Sequence, residues 1–264
     1  MTTAWTPDVA TADAARAVRL TLLWGLDGIA LRTMDGGRVP DVTEGPLRRR
    51  LDEAELPVVA LDPGLFEGDA SARPVWLNDL ARLDDVAAFG RRVGCDLVRV
   101  GPLAAPPVDA DAAADALRQA GERAAALGLR LAVRNEAGSA VATGAALARL
   151  LTAASHPALG ADWRPADAVA EGEAPADGLA ALVDAGHVPL CVGVRDGRFE
   201  DGAETGVGEG DVGWEEHVAA LAAAGVEGPL VIDGLPEPAR TTGLASATAL
   251  IGMARRAGRA ARRG

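Results

Sequence analysis

From about residue 11 the chain alternates two textures. Ala/Leu/Arg-rich stretches with helically spaced apolar residues are separated by short apolar runs rich in β-formers. Strands are expected at Gly28 to Met34, Pro57 to Leu61, Asp96 to Gly101, Leu129 to Asn135, Ala158 to Trp163, Val188 to Val194 and Pro229 to Asp233, with a weaker first one at Ala4 to Pro7. Helices are expected near 11–25, 44–55, 76–93, 109–127, 143–155, 175–185, 214–224 and 243–261, and Gly94, Gly128 and Gly225 stand where C-terminal caps belong. Eight such units in 264 residues match the size of one (β/α)₈ barrel. No GxGxxG follows a strand and no linker composition interrupts the chain, so a closed α/β barrel over residues 1–264, with a short or irregular first strand, is expected rather than an open doubly wound sheet.

Composition excludes several chemistries. All 26 cations are arginine and there is no lysine, which removes Schiff-base catalysis, covalent pyridoxal attachment and a P-loop lysine. The formal charge is −12, and five of the arginines (Arg255, Arg256, Arg259, Arg262 and Arg263) crowd the basic helix end or tail at 255–264. The body is therefore more acidic still and repels phosphate backbones, so no nucleic-acid partner is expected. No apolar run is long enough for a bilayer and no basic-then-apolar leader precedes residue 15, which predicts a cytoplasmic protein without a membrane partner. Cys95 and Cys191 are far apart and outside any metal-knuckle spacing.

In such a barrel the chemistry sits at the C-terminal ends of the strands. Here those ends carry Arg32, Asp62, Arg134 to Glu136, Asp162 to Arg164, Arg195 with Asp196, and Asp233. Arg99 is also near a strand end, its orientation left open. The three histidines, His156, His187 and His217, all lie elsewhere.

The stretch GVGEGDVGWEEHVAALAAAGVEGPLVIDG (206–234) resembles the xylose isomerase-like TIM-barrel superfamily, the sugar phosphate isomerase/epimerase group. GLRLAVRNEAG (128–138), HPALGADWRPADA (156–168) and VPLCVGVRDG (188–197) fall in the order of that family's strands 5, 6 and 7. The resemblance implies a divalent metal held by Glu, Asp, His and Glu at the ends of strands 5 to 8, at positions that look here like Arg134, Arg164, Gly193 and Asp233. Most of those ligands are thus replaced, two of them by permanent cations that repel a metal.

Three readings follow. In the first, no metal cofactor is used. Arg134 and Arg164 bind and polarise a small anionic, oxygen-rich substrate such as a sugar, sugar phosphate or keto acid, and Asp233 or Glu136 moves a proton. Asp162, Arg32, Arg195 and a stacking Trp163 complete the substrate-binding set. In the second, the barrel is catalytically dead and serves as a binding or scaffold subunit, its arginines paired with Asp162, Asp233 and Glu136. In the third, Glu136, Asp162, Asp196 and Asp233 form a displaced carboxylate site for a metal. Cys191 is expected to point inward as barrel filling, and Asp196 and Asp211 to fix the loop after strand 7.

Overall fold

A computed structural model describes residues 1–105 and 109–261. Its elements run β1 (Thr3–Trp5), α1 (Ala14–Trp24), β2 (Gly28–Leu31), α2 (Glu44–Glu53), β3 (Val58–Leu61), α3 (Arg73–Val93), β4 (Leu97–Val100), α4 (Ala110–Leu127), β5 (Arg130–Arg134), α5 (Gly144–Ala154), β6 (Leu159–Trp163), α6 (Pro165–Ala170), α7 (Pro175–Asp184), β7 (Cys191–Val194), α8 (Trp214–Ala223), β8 (Leu230–Ile232) and α9 (Ala239–Ala261). Each of the eight strands pairs in parallel with its neighbours, and β8 pairs with β1, so the sheet closes into a (β/α)₈ barrel. Arg262 and Arg263 of the expected basic tail lie outside the described residues. Among the described residues no helix is long and apolar enough to cross a membrane.

Local chemistry sets the boundaries. Asp13, Asp109 and Thr143 accept backbone N–H bonds of 2.7, 3.0 and 3.1 Å at the starts of α1, α4 and α5. Gly94 and Gly128 end α3 and α4 in the left-handed conformation that a side chain disfavours. The expected strand from Gly28 to Met34 is cut at Leu31, and the chain folds into a small hairpin, Thr33–Met34 against Gly37–Arg38, that stands over the barrel end. One helix was not expected. α6 begins directly after β6, with Pro165 at its first position, where a missing N–H costs nothing.

The strands are short and largely buried, and the space between barrel and helices is filled mostly by Val, Leu and Ala. Trp163 belongs to this layer. Fully buried, it donates its indole N–H to His217 Nε2 on α8 at 3.0 Å. The expectation that Trp163 stacks on a substrate is therefore corrected: alternation along β6 sends Asp162 toward the barrel axis and Trp163 outward onto the helices.

Burial pushes the His217 imidazole down to about 4. Since the unfolded chain takes up that proton near pH 6.5, it binds more protons than the folded chain between pH 6.5 and 4, and stability falls as pH drops through that window. The loss is on the order of 3 kcal/mol. In His217→Gln, which keeps an acceptor for Trp163, urea midpoints at pH 6.5 and pH 4.5 are expected to converge relative to the parent.

Candidate active site

The parallel register fixes which side chains share a level. Arg134 is level with Asp162, Asp162 with Cys191, and Gly193 with Val231. Arg164 therefore lies two residues beyond Arg134's level, and the β6 side chain beside Arg134 is Asp162. The assignment of Arg164 to the strand-6 ligand position is corrected accordingly. Asn135 fixes where Arg164 sits: its side-chain oxygen accepts from the Arg164 backbone N–H at 2.8 Å and its amide donates to the Arg164 carbonyl at 2.9 Å. This clamp between the ends of β5 and β6 was not foreseen from the sequence.

Arg99, on β4, occupies the centre. Fully buried, its guanidinium donates to both oxygens of Asp162, at 2.8 and 3.2 Å, and to Asp233 Oδ2 at 2.7 Å. Arg164 donates to the same Asp233 oxygen at 2.9 Å. Burial alone would raise Asp233, but Arg164 and Arg99 outweigh it and hold its carboxyl below the ordinary value. The neighbouring carboxylates likewise outweigh burial at Arg99 and keep it firmly protonated.

Gly193 explains how two guanidinium groups fit. A Cβ there would stand 2.9 Å from both Arg164 Cγ and Asp233 Oδ2 and 3.1 Å from Arg99 Nη2. Gly193→Ala is accordingly expected to cost about 1–3 kcal/mol by overpacking a site that cannot retreat, measurable by denaturant unfolding.

On the other side of the mouth, Arg134 donates to Glu67 Oε1 at 2.6 Å and lies 3.8 Å from Asp62 Oδ2. Arg38, from the hairpin, holds the other Asp62 oxygen at 2.8 Å. Asp62 is held low: burial opposes this, and Arg134, Arg99 and Arg38 overcome it. Arg32 forks onto Asp8 at 2.7–3.0 Å, so its charge is engaged beside the mouth rather than aimed into it.

A third group lies beyond β6. Asp167, in the first turn of α6, accepts from Arg195 Nη2 through Oδ1, while its Oδ2 is 3.8 Å from Arg164 Nη1 and has no hydrogen-bond partner. Arg164 Nε, Arg195 Nε and Arg99 Nη1 are also buried without partners. Burial pushes the Asp167 carboxyl up, with Arg164 and Arg195 opposing only in part. Asp167 was not singled out in the sequence; the one available signal is an acid three residues after Arg164.

Other expected residues stand apart. After Arg134 the chain turns away from the barrel, and Glu136 is exposed at the rim, out of reach of the arginine pairs expected for it. Asp196 turns into its own loop, accepting backbone N–H groups of Gly197, Gly208, Gly210 and Val212, and Asp211 accepts from Phe199 N. Both fix the loop after β7, as expected. Cys191 is fully buried below the ion cluster, its thiol pushed well up by burial, and fills the barrel.

The residues present do not fit a divalent cation. Among the described residues no three His, Cys, Asp or Glu side chains converge as a ligand set. Asp162 and Asp233 both face the axis, but a guanidinium already bridges them, and the positions beside them carry Arg134 and Gly193.

Comparison with known proteins places this geometry in a family. Residues 18–250 match the model of the xylose isomerase-like TIM barrel. No curated protein matches the chain. Among solved structures, L-ribulose 3-epimerase aligns over 99% of this chain and 97% of its own at 21% identity and a TM-score of 0.77. D-allulose 3-epimerase from Methylomonas sp., in complex with D-allulose, aligns over 97% of this chain and 95% of its own, with 16% identity and a TM-score of 0.72. A xylose isomerase-like TIM barrel/4-hydroxyphenylpyruvate dioxygenase fusion protein aligns over 96% of this chain at 19% identity and a TM-score of 0.79, and this chain spans only 42% of its length. At these identities the structural likeness shows the fold, and the family match shows the lineage: the chain belongs to the xylose isomerase-like TIM-barrel family.

Proposed function

We propose that this barrel is an isomerase/epimerase-type enzyme that works without a metal on a small anionic, oxygen-rich substrate, such as a sugar acid, sugar phosphate or keto acid. The observation that carries the reading is the Arg99 guanidinium bridging Asp162 and Asp233 on the barrel axis. It supplies fixed positive charge where carboxylates would otherwise call for a cation. Arg164 and Arg134, closer to the mouth, supply further N–H donors. A carboxylate or phosphate seated on them gains charge-assisted, geometrically matched hydrogen bonds, and the same groups stabilise an enediolate as it forms.

Asp233 is the candidate base. Both arginine bonds go to Oδ2, and Arg164 and Arg99, outweighing burial, hold its carboxyl below the ordinary value, so it is ionised at neutral pH. Arg195, its side chain 38% exposed, extends the cationic rim. The D-allulose complex of a structural neighbour supports a sugar-like ligand, and the arginines support an anionic one.

Calorimetric titration with D-gluconate, 2-keto-D-gluconate, D-fructose 6-phosphate and pyruvate tests the reading. At least one is expected to bind, with affinity falling about 10–100-fold in Arg164→Ala and Arg134→Ala, the cost of a lost charged hydrogen bond. Binding that both variants leave unchanged would overturn it. A binding-only barrel is favoured by one feature: Arg164, Arg134, Arg195 and Arg38 each already hold a protein carboxylate. Ligand binding with no turnover of any of the four compounds would select that reading.

A further inference from the structure

Arg164 stands between two carboxylates that differ in every respect that matters for proton transfer. On one side its Nη2 is 2.9 Å from Asp233 Oδ2, an oxygen that also takes 2.7 Å from Arg99. On the other its Nη1 is 3.8 Å from Asp167 Oδ2. An anionic oxygen that settles on Arg164 is therefore placed beside both acids at once.

We propose that Asp167 is the group that gives and takes the proton on the substrate's oxygen, with Arg195 as its positioning residue, opposite Asp233 acting on carbon. The inference rests on the functional reading above and adds to it the acid which that reading lacks.

Three observations support the assignment. Asp167 is buried, yet only Oδ1 is hydrogen-bonded, to Arg195; Oδ2 has no partner. A buried, unbonded carboxylate oxygen is costly, whereas the same oxygen carrying a proton is a donor, and it stands 3.8 Å from Arg164 Nη1. Arg164 Nε and Arg195 Nε, on the two arginines that face Asp167, are likewise buried without hydrogen-bond partners, so the polar groups around Asp167 are not all satisfied by protein atoms. Finally, the charged groups acting on Asp167 are Arg164 and Arg195 from one side of the balance and Asp233 and Glu136 from the other, and burial tips it upward while Asp233 is held down. Two carboxylates whose environments push them apart divide into acid and base.

The step is redox-neutral. Asp233 takes the proton from the carbon next to the substrate carbonyl, the C–H electron pair becomes the C=C bond of an enediol, and the carbonyl π pair takes the proton from Asp167. Asp233 then returns its proton to the former carbonyl carbon while Asp167 takes the proton of the enediol's other hydroxyl, whose oxygen becomes the new carbonyl, and the isomer results.

The test is Asp167→Asn, whose amide oxygen still accepts from Arg195 but which has no proton to transfer. Deuterium wash-in from D₂O at the carbon next to the carbonyl is followed by proton NMR on D-fructose 6-phosphate and 2-keto-D-gluconate. Wild type is expected to exchange, and the variant to bind the same compound with little change while exchanging about 100-fold or more slowly, with partial return in Asp167→Glu. Exchange at the wild-type rate in Asp167→Asn would overturn the proposal. Should wild type bind neither compound, the functional reading fails for them, and the proposal is then decided without ligand. The Asp167 carboxyl ¹³C resonance, assigned by its loss in Asp167→Asn, is expected to titrate above the ordinary aspartate value of 3.8, and a midpoint at or below that value would overturn it.

Discussion

Replacing Arg99 by methionine is expected to destabilise the protein by about 3–5 kcal/mol and to lower its melting temperature by roughly 10 °C. The side chain makes three charged hydrogen bonds with no exposure to water, so its removal leaves Asp162 and Asp233 as buried carboxylates. Arg164 compensates only in part, since it reaches Asp233 at 2.9 Å but Asp162 only at 3.8 Å. The loss is a penalty of orphaned charge rather than the worth of the pairs. Arg99→Met combined with Asp162→Asn is therefore expected to recover stability relative to Arg99→Met alone. Acidification separates the electrostatic account from simple packing. Asp233 and Asp62 have folded-state values held below 3.8, so they contribute stability that is present above that pH and lost as pH falls through their folded values. The gap between parent and Arg99→Met should thus narrow below about pH 4. A gap that stays constant from pH 7 to pH 3 would mean that the guanidinium acts as packing volume.

Trp163→Ala is expected to cost a similar amount, about 3–5 kcal/mol, for a different reason. The indole is fully buried between β6 and α8, donates to His217, and closes against Gly178, where even a Cβ would come within 2.5 Å of the ring. Truncation leaves a cavity lined by residues that the barrel holds in place and removes the partner of a buried imidazole. Trp163→Phe keeps most of the volume, and its affinity for any anionic ligand should equal the parent's, because the ring faces the helices. A loss of ligand affinity in Trp163→Phe without loss of stability would return this residue to the mouth.

The barrel could be read from the chain because buried parallel strands are short apolar runs and the helices between them carry their own start and stop residues. Asp13, Asp109, Gly94 and Gly128 mark boundaries by chemistry that acts over a few residues. β1 was faint because three residues, Thr3–Trp5, are too few to show a pattern. α6 was missed because six residues starting at a proline show no helical period. The site was legible as a surplus of arginine and aspartate at strand ends, and illegible in its pairing. Alternation says which face a residue occupies but not at what level, so Asp162 and Arg164 looked equivalent until the register set Asp162 beside Arg134. Arg99 could not be assigned for the same reason: one arginine in the run LVRV points inward or outward according to a register that only the closed barrel defines. Glu67 and Arg38 come from loops whose course no local pattern predicts, and Glu136 left the site because the chain turns at Asn135.

The central claim is that a guanidinium on the barrel axis stands in the role of a divalent cation. Elemental analysis of the purified, tag-free protein for manganese, zinc, magnesium, cobalt and iron after dialysis tests it most directly. The arrangement of Arg99 with Asp162 and Asp233 predicts metal far below one ion per chain. Near-stoichiometric metal that survives dialysis would contradict it.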